Sequence, residues 1–121
     1  WGYAKEYVEA MYLMLQQKKP DEFVIGTGIN YSVRFFIEET FKLAGIKIAW
    51  EGSGIKEKGI NKDNNKIVVE IDKFYFRPSE VDILLADPKK AKQKLNWQAK
   101  SNIEDIIQMM YENDFNILKK V

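Results

Sequence analysis

Between Phe23 and Trp50 the sequence spells a short apolar strand, a Gly26-Thr27-Gly28 turn, a helix and a second strand, and it does so once. A doubly wound sheet needs that unit repeated. The third glycine, which lets helix and strand approach in a dinucleotide fold, would fall at Tyr31, whose ring obstructs that approach. The glycines therefore read as turn residues. A small dinucleotide-binding unit at Gly26–Gly28 stays as a minor alternative. The chain is thereby pushed away from a parallel α/β sheet and toward a small α+β fold with few strands and about four helices.

The remaining elements follow from periodicity. Tyr3, Ala4, Tyr7, Val8, Met11, Met14 and Leu15 recur at helical spacing and predict a helix over 3–17. Tyr12 and Leu13 widen its apolar stripe, so it should pack on two sides. Ser32 offers an N-cap to a second helix, and Gly45 offers its C-terminal stop. Residues 46–50 alternate as a strand, 51–66 read as loop, and 67–71 read as a strand in a hairpin with an earlier extended segment. Asp87-Pro88 announces a short basic helix, Lys89 to Lys94, whose four lysines read as a solvated face. Ser101-Asn102-Ile103-Glu104 reads as a capping box that starts the last helix, with Lys119 and Lys120 at its C-terminal end.

Composition removes whole classes of chemistry. The 121 residues include no cysteine and no histidine, which excludes disulfides, thiolate nucleophiles, zinc fingers and imidazole acid–base catalysis. Hydrophobic residues at 45% and charged residues at 31% suit a globular domain able to bury a core. A net charge of +1, with 19 basic and 18 acidic residues, gives no reason to expect nucleic acid as a partner. No apolar run reaches the roughly 20 residues of a membrane span. Absence of cysteine is compatible with the cytoplasm, and a cytoplasmic location is the expectation. Trp1-Gly2-Tyr3 lacks an initiator methionine and a signal pattern, and reads as a chain entered partway through a longer protein.

The candidate site is Phe74-Tyr75-Phe76-Arg77-Pro78-Ser79-Glu80-Val81-Asp82. Pro78 drives Arg77 into an extended shape and suits the start of a helix or tight turn at Ser79 and Glu80. An arginine at such a corner can aim its five-donor fork at a phosphate or carboxylate. Glu80 can accept from two neighbouring hydroxyls, as a ribose diol offers. The plainer alternative is that Arg77 and Glu80 pair at the surface, for about 0–1 kcal/mol.

Several stretches together resemble the C-terminal part of the GDP-mannose 4,6-dehydratases, extended short-chain dehydrogenase/reductases. They are Trp1-Gly2-Tyr3-Ala4-Lys5-Glu6-Tyr7-Val8, Thr27-Gly28 with Ser32-Val33-Arg34, Trp50-Glu51-Gly52-Ser53-Gly54, Tyr75-Phe76-Arg77-Pro78 and Leu84-Leu85-Ala86-Asp87-Pro88. The resemblance implies a single sugar-nucleotide-binding domain over 1–121, beside an NADP-binding Rossmann domain that this chain does not include. It implies that Arg77 contacts the GDP diphosphate and Glu80 the guanosine ribose. It adds Arg34 as a further substrate-binding candidate, for which a first-turn surface arginine is an equal reading. The implied substrate is GDP-mannose or a related nucleotide sugar. The implied reaction oxidises the sugar at C4, eliminates water across C5 and C6, and returns the hydride to C6.

This chain lacks the Tyr with Lys four residues later that such proton transfers need, and lacks a complete glycine-rich cofactor loop. No catalytic residue and no metal ligand is therefore assigned, and the chain alone should bind no NADP and be inactive. Glu6 stands where the family usually has Asp, and the positions of Gly26 and Ile29 also depart from the common pattern. The rival reading is a stand-alone nucleotide-sugar-binding or interaction module. In either case the face left by a missing Rossmann domain should be covered, in a homo-oligomer or by a partner chain.

Overall fold

The computed structural model describes residues 1–77, 79, 81 and 83–119. Among them are four α-helices and a three-stranded antiparallel sheet, α1 (Ala4–Leu15), α2 (Val33–Leu43), β1 (Ile48–Glu51), β2 (Lys58–Asn61), β3 (Ile67–Glu70), α3 (Lys89–Leu95) and α4 (Ile103–Leu118). This is the small α+β fold expected. The chain divides into two compact units, Trp1–Ser32 with Ile83–Val121, and Val33–Asp82.

The first unit is helical and is built around Trp97, which is 3% exposed. Ala10 of α1 and Ala91 and Leu95 of α3 close on it, with Tyr7, Leu13, Met14, Phe23 and Ile25 packed around. Two alanines at the contact let the helices approach closely. Tyr7 meets the Trp97 ring edge-to-face, at 5.9 Å between centroids and 73° between planes. Asn96, in the left-handed region at φ 52°, ends α3 and turns Trp97 back toward α1.

Sequence and structure differ at three places here. Phe23–Ile25 forms no strand; Phe23 and Ile25 pack against the core cluster, while Val24 between them is exposed. The capping box lies one residue later than Ser101 suggested. Asn102 caps α4 by accepting from the Asp105 N–H at 2.7 Å, while Asp105 Oδ2 accepts from the Asn102 N–H at 3.1 Å. Ser101 is drawn away because it binds Glu6. Third, Lys90 and Lys94 are not merely solvated. Being one turn apart, both reach Asp21, at 2.5 and 2.8 Å.

In the second unit α2 ends as expected. Gly45 (φ 72°) lets its own N–H reach the Lys42 carbonyl and lets the Ile46 N–H reach that of Phe41, the paired bonds of a Schellman stop. The stretch 51–66, expected to be loop, contains β2. Its Lys58-Gly59-Ile60-Asn61 has too little apolar alternation to announce a strand, yet it is the centre of the sheet. Gly59 is opposite Trp50 on one side and Val69 on the other, and a Cβ there would come within 3.0 Å of Val69 Cβ. The Asn/Asp-rich turn does join a hairpin, β2 to β3. Asn61 Oδ1 accepts from the Asp63 N–H at 2.8 Å and Asn64 Oδ1 from the Lys66 N–H at 3.0 Å, with Asn65 left-handed between them.

Candidate functional site

β3 runs directly into the candidate site. After Glu70 the chain turns at Asp72, whose Oδ1 accepts from the Phe74 N–H at 2.8 Å and whose carbonyl accepts from the Tyr75 N–H at 3.1 Å. An aspartate that bonds its own backbone two residues on holds a tight turn. The turn thrusts Phe74 and Tyr75 outward, and Arg77 follows two residues later. Ile71, Phe74, Tyr75, Phe76 and Arg77 line an open concavity of about 610 Å³. That volume lies within the range of small-molecule sites, roughly 300–1,000 Å³. Arg77 is exposed and is not helical, and no described residue from Arg77 to Pro88 is helical; Ser79 forms a bend. The Pro78 corner, the expected helix or turn start at Glu80, the Glu80 ribose contact and Lys120 lie outside the described residues.

Arg34 lies elsewhere in the same unit, on the first turn of α2. Its guanidinium pairs with the Glu57 carboxylate and covers the Trp50 ring, 4.7 Å from the centroid. The Trp50 indole N–H donates to Glu38 Oε1 at 2.7 Å. These four side chains tie α2 to β1 and to the start of β2. Arg34 does not line the Arg77 concavity. Nothing in residue type or spacing announced Glu57, 23 positions away, as the partner of Arg34.

In the helical unit the acidic residues hold the frame. Glu6 lies against the start of α4, where burial opposes its charge. The Ser101 hydroxyl, the Lys100 and Ser101 N–H groups and the Lys100 ammonium outweigh that, and hold its carboxyl below its ordinary value. Asp21 is held far below the ordinary carboxylate range, first by Lys90 and then by Lys94. A concavity of about 700 Å³ near Asp21 is lined by Lys18, Lys19 and Lys94 among others, but two of the nearby ammonium groups are already committed to this carboxylate. The sequence predicts Asp87 as the N-cap of α3 with Pro88 as its first residue, but Pro88 is the N-cap and the helix begins at Lys89. Asp87 Oδ1 accepts from the Lys89 N–H at 3.1 Å, and this bond lowers its pKa.

At the Gly26–Gly28 turn, a Cβ at Gly26 would meet Ala86 Cβ at 2.6 Å and one at Gly28 would lie 3.6 Å from Pro88 Cδ, so both glycines serve packing against the 86–88 segment. Among the described residues no cluster of three or more carboxylates, imidazoles or thiols could hold a metal ion. Nor is any described helix long and apolar enough to cross a membrane.

A family model described as GDP-mannose 4,6 dehydratase matches residues 1–110. Among curated relatives, a GDP-mannose 4,6 dehydratase of Dictyostelium discoideum is 48% identical over 119 residues, covering 98% of this chain and 33% of its own length. A human GDP-mannose 4,6 dehydratase is 45% identical, with 98% and 32% covered. A GDP-mannose 4,6-dehydratase of Vibrio cholerae is 43% identical, with 99% and 35% covered. The chain thus spans about a third of the length of these relatives. With the match running from Trp1 through the first half of α4, the chain belongs to the GDP-mannose 4,6-dehydratase family.

Proposed function

We propose that these residues are the nucleotide-sugar-binding portion of a GDP-mannose 4,6-dehydratase-like enzyme, a lyase that converts GDP-mannose to GDP-4-keto-6-deoxymannose in the cytoplasm on the route to GDP-fucose. Arg77 meets the diphosphate and Glu80 the ribose diol. The observation that carries the reading is the family match together with an arginine that lines a ligand-sized concavity. A fork of N–H donors toward a diphosphate is among the stronger polar contacts.

NADP, which would accept and return the hydride, belongs on this reading to the remainder of a full-length enzyme of the short-chain dehydrogenase/reductase type. Gly26 and Gly28 are taken up by packing against Ala86 and Pro88. The 121-residue chain by itself is proposed to be without dehydratase activity.

One surface favours a further partner, a second copy or another chain. Val8, Met11, Tyr12 and Leu15 form one helical stripe on α1, and all are exposed, Leu15 by 82%. The sequence placed Val8, Met11 and Leu15 on the main apolar stripe of α1, with Tyr12 and Leu13 widening it; of these only Leu13 packs against the core. The same stripe supports the alternative of a stand-alone interaction module.

Titration of the chain with GDP, GDP-mannose, UDP-glucose and NADP tests the proposal. GDP and GDP-mannose should bind, and Arg77→Ala should weaken them by about 1.5–3 kcal/mol, the scale for hydrogen bonds to charged groups. Failure of GDP to perturb residues 71–77, or indifference to Arg77→Ala, would overturn it. NADP binding that survives Arg77→Ala would favour a cofactor site at Gly26–Gly28.

A further inference from the structure

At one end of the sheet, charged residues that face each other across the strands carry opposite signs. Glu51 stands opposite Lys58, and Lys58 stands opposite Glu70, with which it pairs at 3.1 Å. The other end of the β1–β2 ladder breaks that pattern. One step beyond the Ile48–Asn61 pair, the Lys62 N–H donates to the Lys47 carbonyl at 2.9 Å. The register therefore sets Lys47 directly opposite Lys62. Directly opposed residues share a face of the sheet, with Cβ atoms about 4.5–5.5 Å apart, and like charges so placed are destabilising. Both lysines are exposed, and no described carboxylate pairs with either ammonium group.

The two lysines line a concavity of about 440 Å³ together with Lys42, Ile46 and Ile48. Glu38 and Glu39 also border it, but both are engaged. Glu38 Oε1 accepts from the Trp50 indole, and Glu39 holds Lys42 at 3.1 Å. Lys47 and Lys62 are thus the cations of this rim that lack a counter-charge. Ile46 and Ile48 are half-buried and give the same concavity an apolar wall. An anionic head between the two ammonium groups would turn one repulsion into two attractions. A hydrocarbon body would cover isoleucine surface that otherwise meets water. An inorganic anion uses only the first feature, and a neutral apolar molecule only the second. No lining residue is shared with the Arg77 concavity.

We propose that Lys47 and Lys62 form a second ligand site, at the open end of the β1–β2 ladder, which takes a small organic carboxylate with a hydrocarbon body. The carboxylate lies between the two ammonium groups, and the body lies against Ile46 and Ile48. Such a ligand binds only where the ladder holds the two lysines opposite each other. It therefore stabilises the second unit in proportion to its concentration. The site is independent of the Arg77 reading.

The test is a titration of the 121-residue chain followed by amide NMR shifts. The probes are hexanoate, acetate, inorganic phosphate and hexanol. Hexanoate should shift the amides of 46–48 and 62, and should bind several-fold more tightly than acetate or phosphate. Hexanol should leave these amides in place. Lys47→Gln and Lys62→Gln should each weaken hexanoate roughly 1.5- to 5-fold, the range of one exposed ion pair. Lys62→Arg should retain binding. Lys62→Glu supplies the missing carboxylate from within the sheet, so it should abolish hexanoate binding and make the second unit more resistant to urea than Lys62→Gln. That gain shows that the variant folds. Arg77→Ala should leave hexanoate unaffected. Hexanoate shifts that ignore both glutamine variants, or equal affinity for hexanoate and acetate, would overturn the proposal. So would the absence of any hexanoate shift at 46–48 and 62 in the wild-type chain.

Discussion

The Trp97 indole N–H donates to the backbone carbonyl of Glu6 across 91 positions of sequence, at 3.0 Å. The bond joins the segment after α3 to the first turn of α1, and the ring beneath it fills the centre of the helical unit. Removing the ring leaves a void and removes the bond from the indole to the Glu6 carbonyl. Trp97→Ala should therefore lower the stability of this unit by about 3–5 kcal/mol. Trp97→Phe retains part of the volume and should lose about 1–3 kcal/mol, a smaller void plus one hydrogen bond. Urea titration read through the amide signals of α1 and α3 measures both. Equal losses for the two variants would mean that the ring volume is not what holds the unit.

Glu6 makes the same junction pH-dependent. Its carboxylate accepts from the Lys100 N–H, the Ser101 N–H and the Ser101 hydroxyl, and its pKa lies below the ordinary 4.5. A depressed folded-state value means the unfolded chain takes up the proton first. The Glu6 contribution is therefore complete above about pH 4.5 and is lost as pH falls through the lower folded value. Glu6→Gln should destabilise the unit by about 1–2 kcal/mol at pH 7, where hydrogen bonds to a charged acceptor are at stake. The gap between wild type and variant should narrow below pH 4. Parallel stability curves from pH 7 to pH 3 would show that the charge of Glu6 is immaterial.

The turn after β1 depends on Gly52. Its φ is +82°, and a Cβ would lie 2.5 Å from the Lys56 carbonyl oxygen, which is backbone and cannot swing aside. Gly45 also has a positive φ, of +72°, but has open space around it. Gly52→Ala should accordingly cost more than Gly45→Ala, for which only the conformational term of about 1 kcal/mol applies. The expected excess for Gly52→Ala is at least another 1 kcal/mol, seen as weakened protection of the β1–β2 amides in hydrogen exchange. Similar costs for both would place the strain in φ alone.

What the sequence disclosed and what it concealed divide along one line. Features that act within a few residues were legible. The Schellman stop at Gly45, the Asn/Asp turn before Ile67 and the service of Asp87 to the Lys89 N–H all follow from local backbone chemistry. Features that depend on a distant partner were not. β2 carries a glycine and two polar residues, and becomes a strand because β1 and β3 flank it. The capping box moved to Asn102 because Glu6, 95 positions away, claimed Ser101. Lys90 and Lys94 showed the i, i+4 spacing, but the acid they share is Asp21 rather than a helix neighbour. The candidate site shows the same split. The turn that presents Phe74 is local, whereas the pairing of Arg34 with Glu57 and Trp50 exists only once the sheet has formed.

That pairing gives the sharpest test of Arg34. A guanidinium lying over an indole and bonded to a carboxylate is doing structural work, and lysine cannot reproduce a planar stack. An exposed cation–π contact is worth about 0.5–1 kcal/mol, and an exposed ion pair adds at most a similar amount. Arg34→Ala should therefore lower the stability of the second unit by about 1 kcal/mol and shift the Trp50 indole N–H resonance. Arg34→Lys should recover less than half of the loss. Because Arg34 does not line the Arg77 concavity, GDP affinity should stay within twofold of wild type in the lysine variant. A large loss of GDP affinity in Arg34→Lys, with the Trp50 resonance unmoved, would instead make Arg34 a ligand contact and its pairing with Glu57 a resting arrangement.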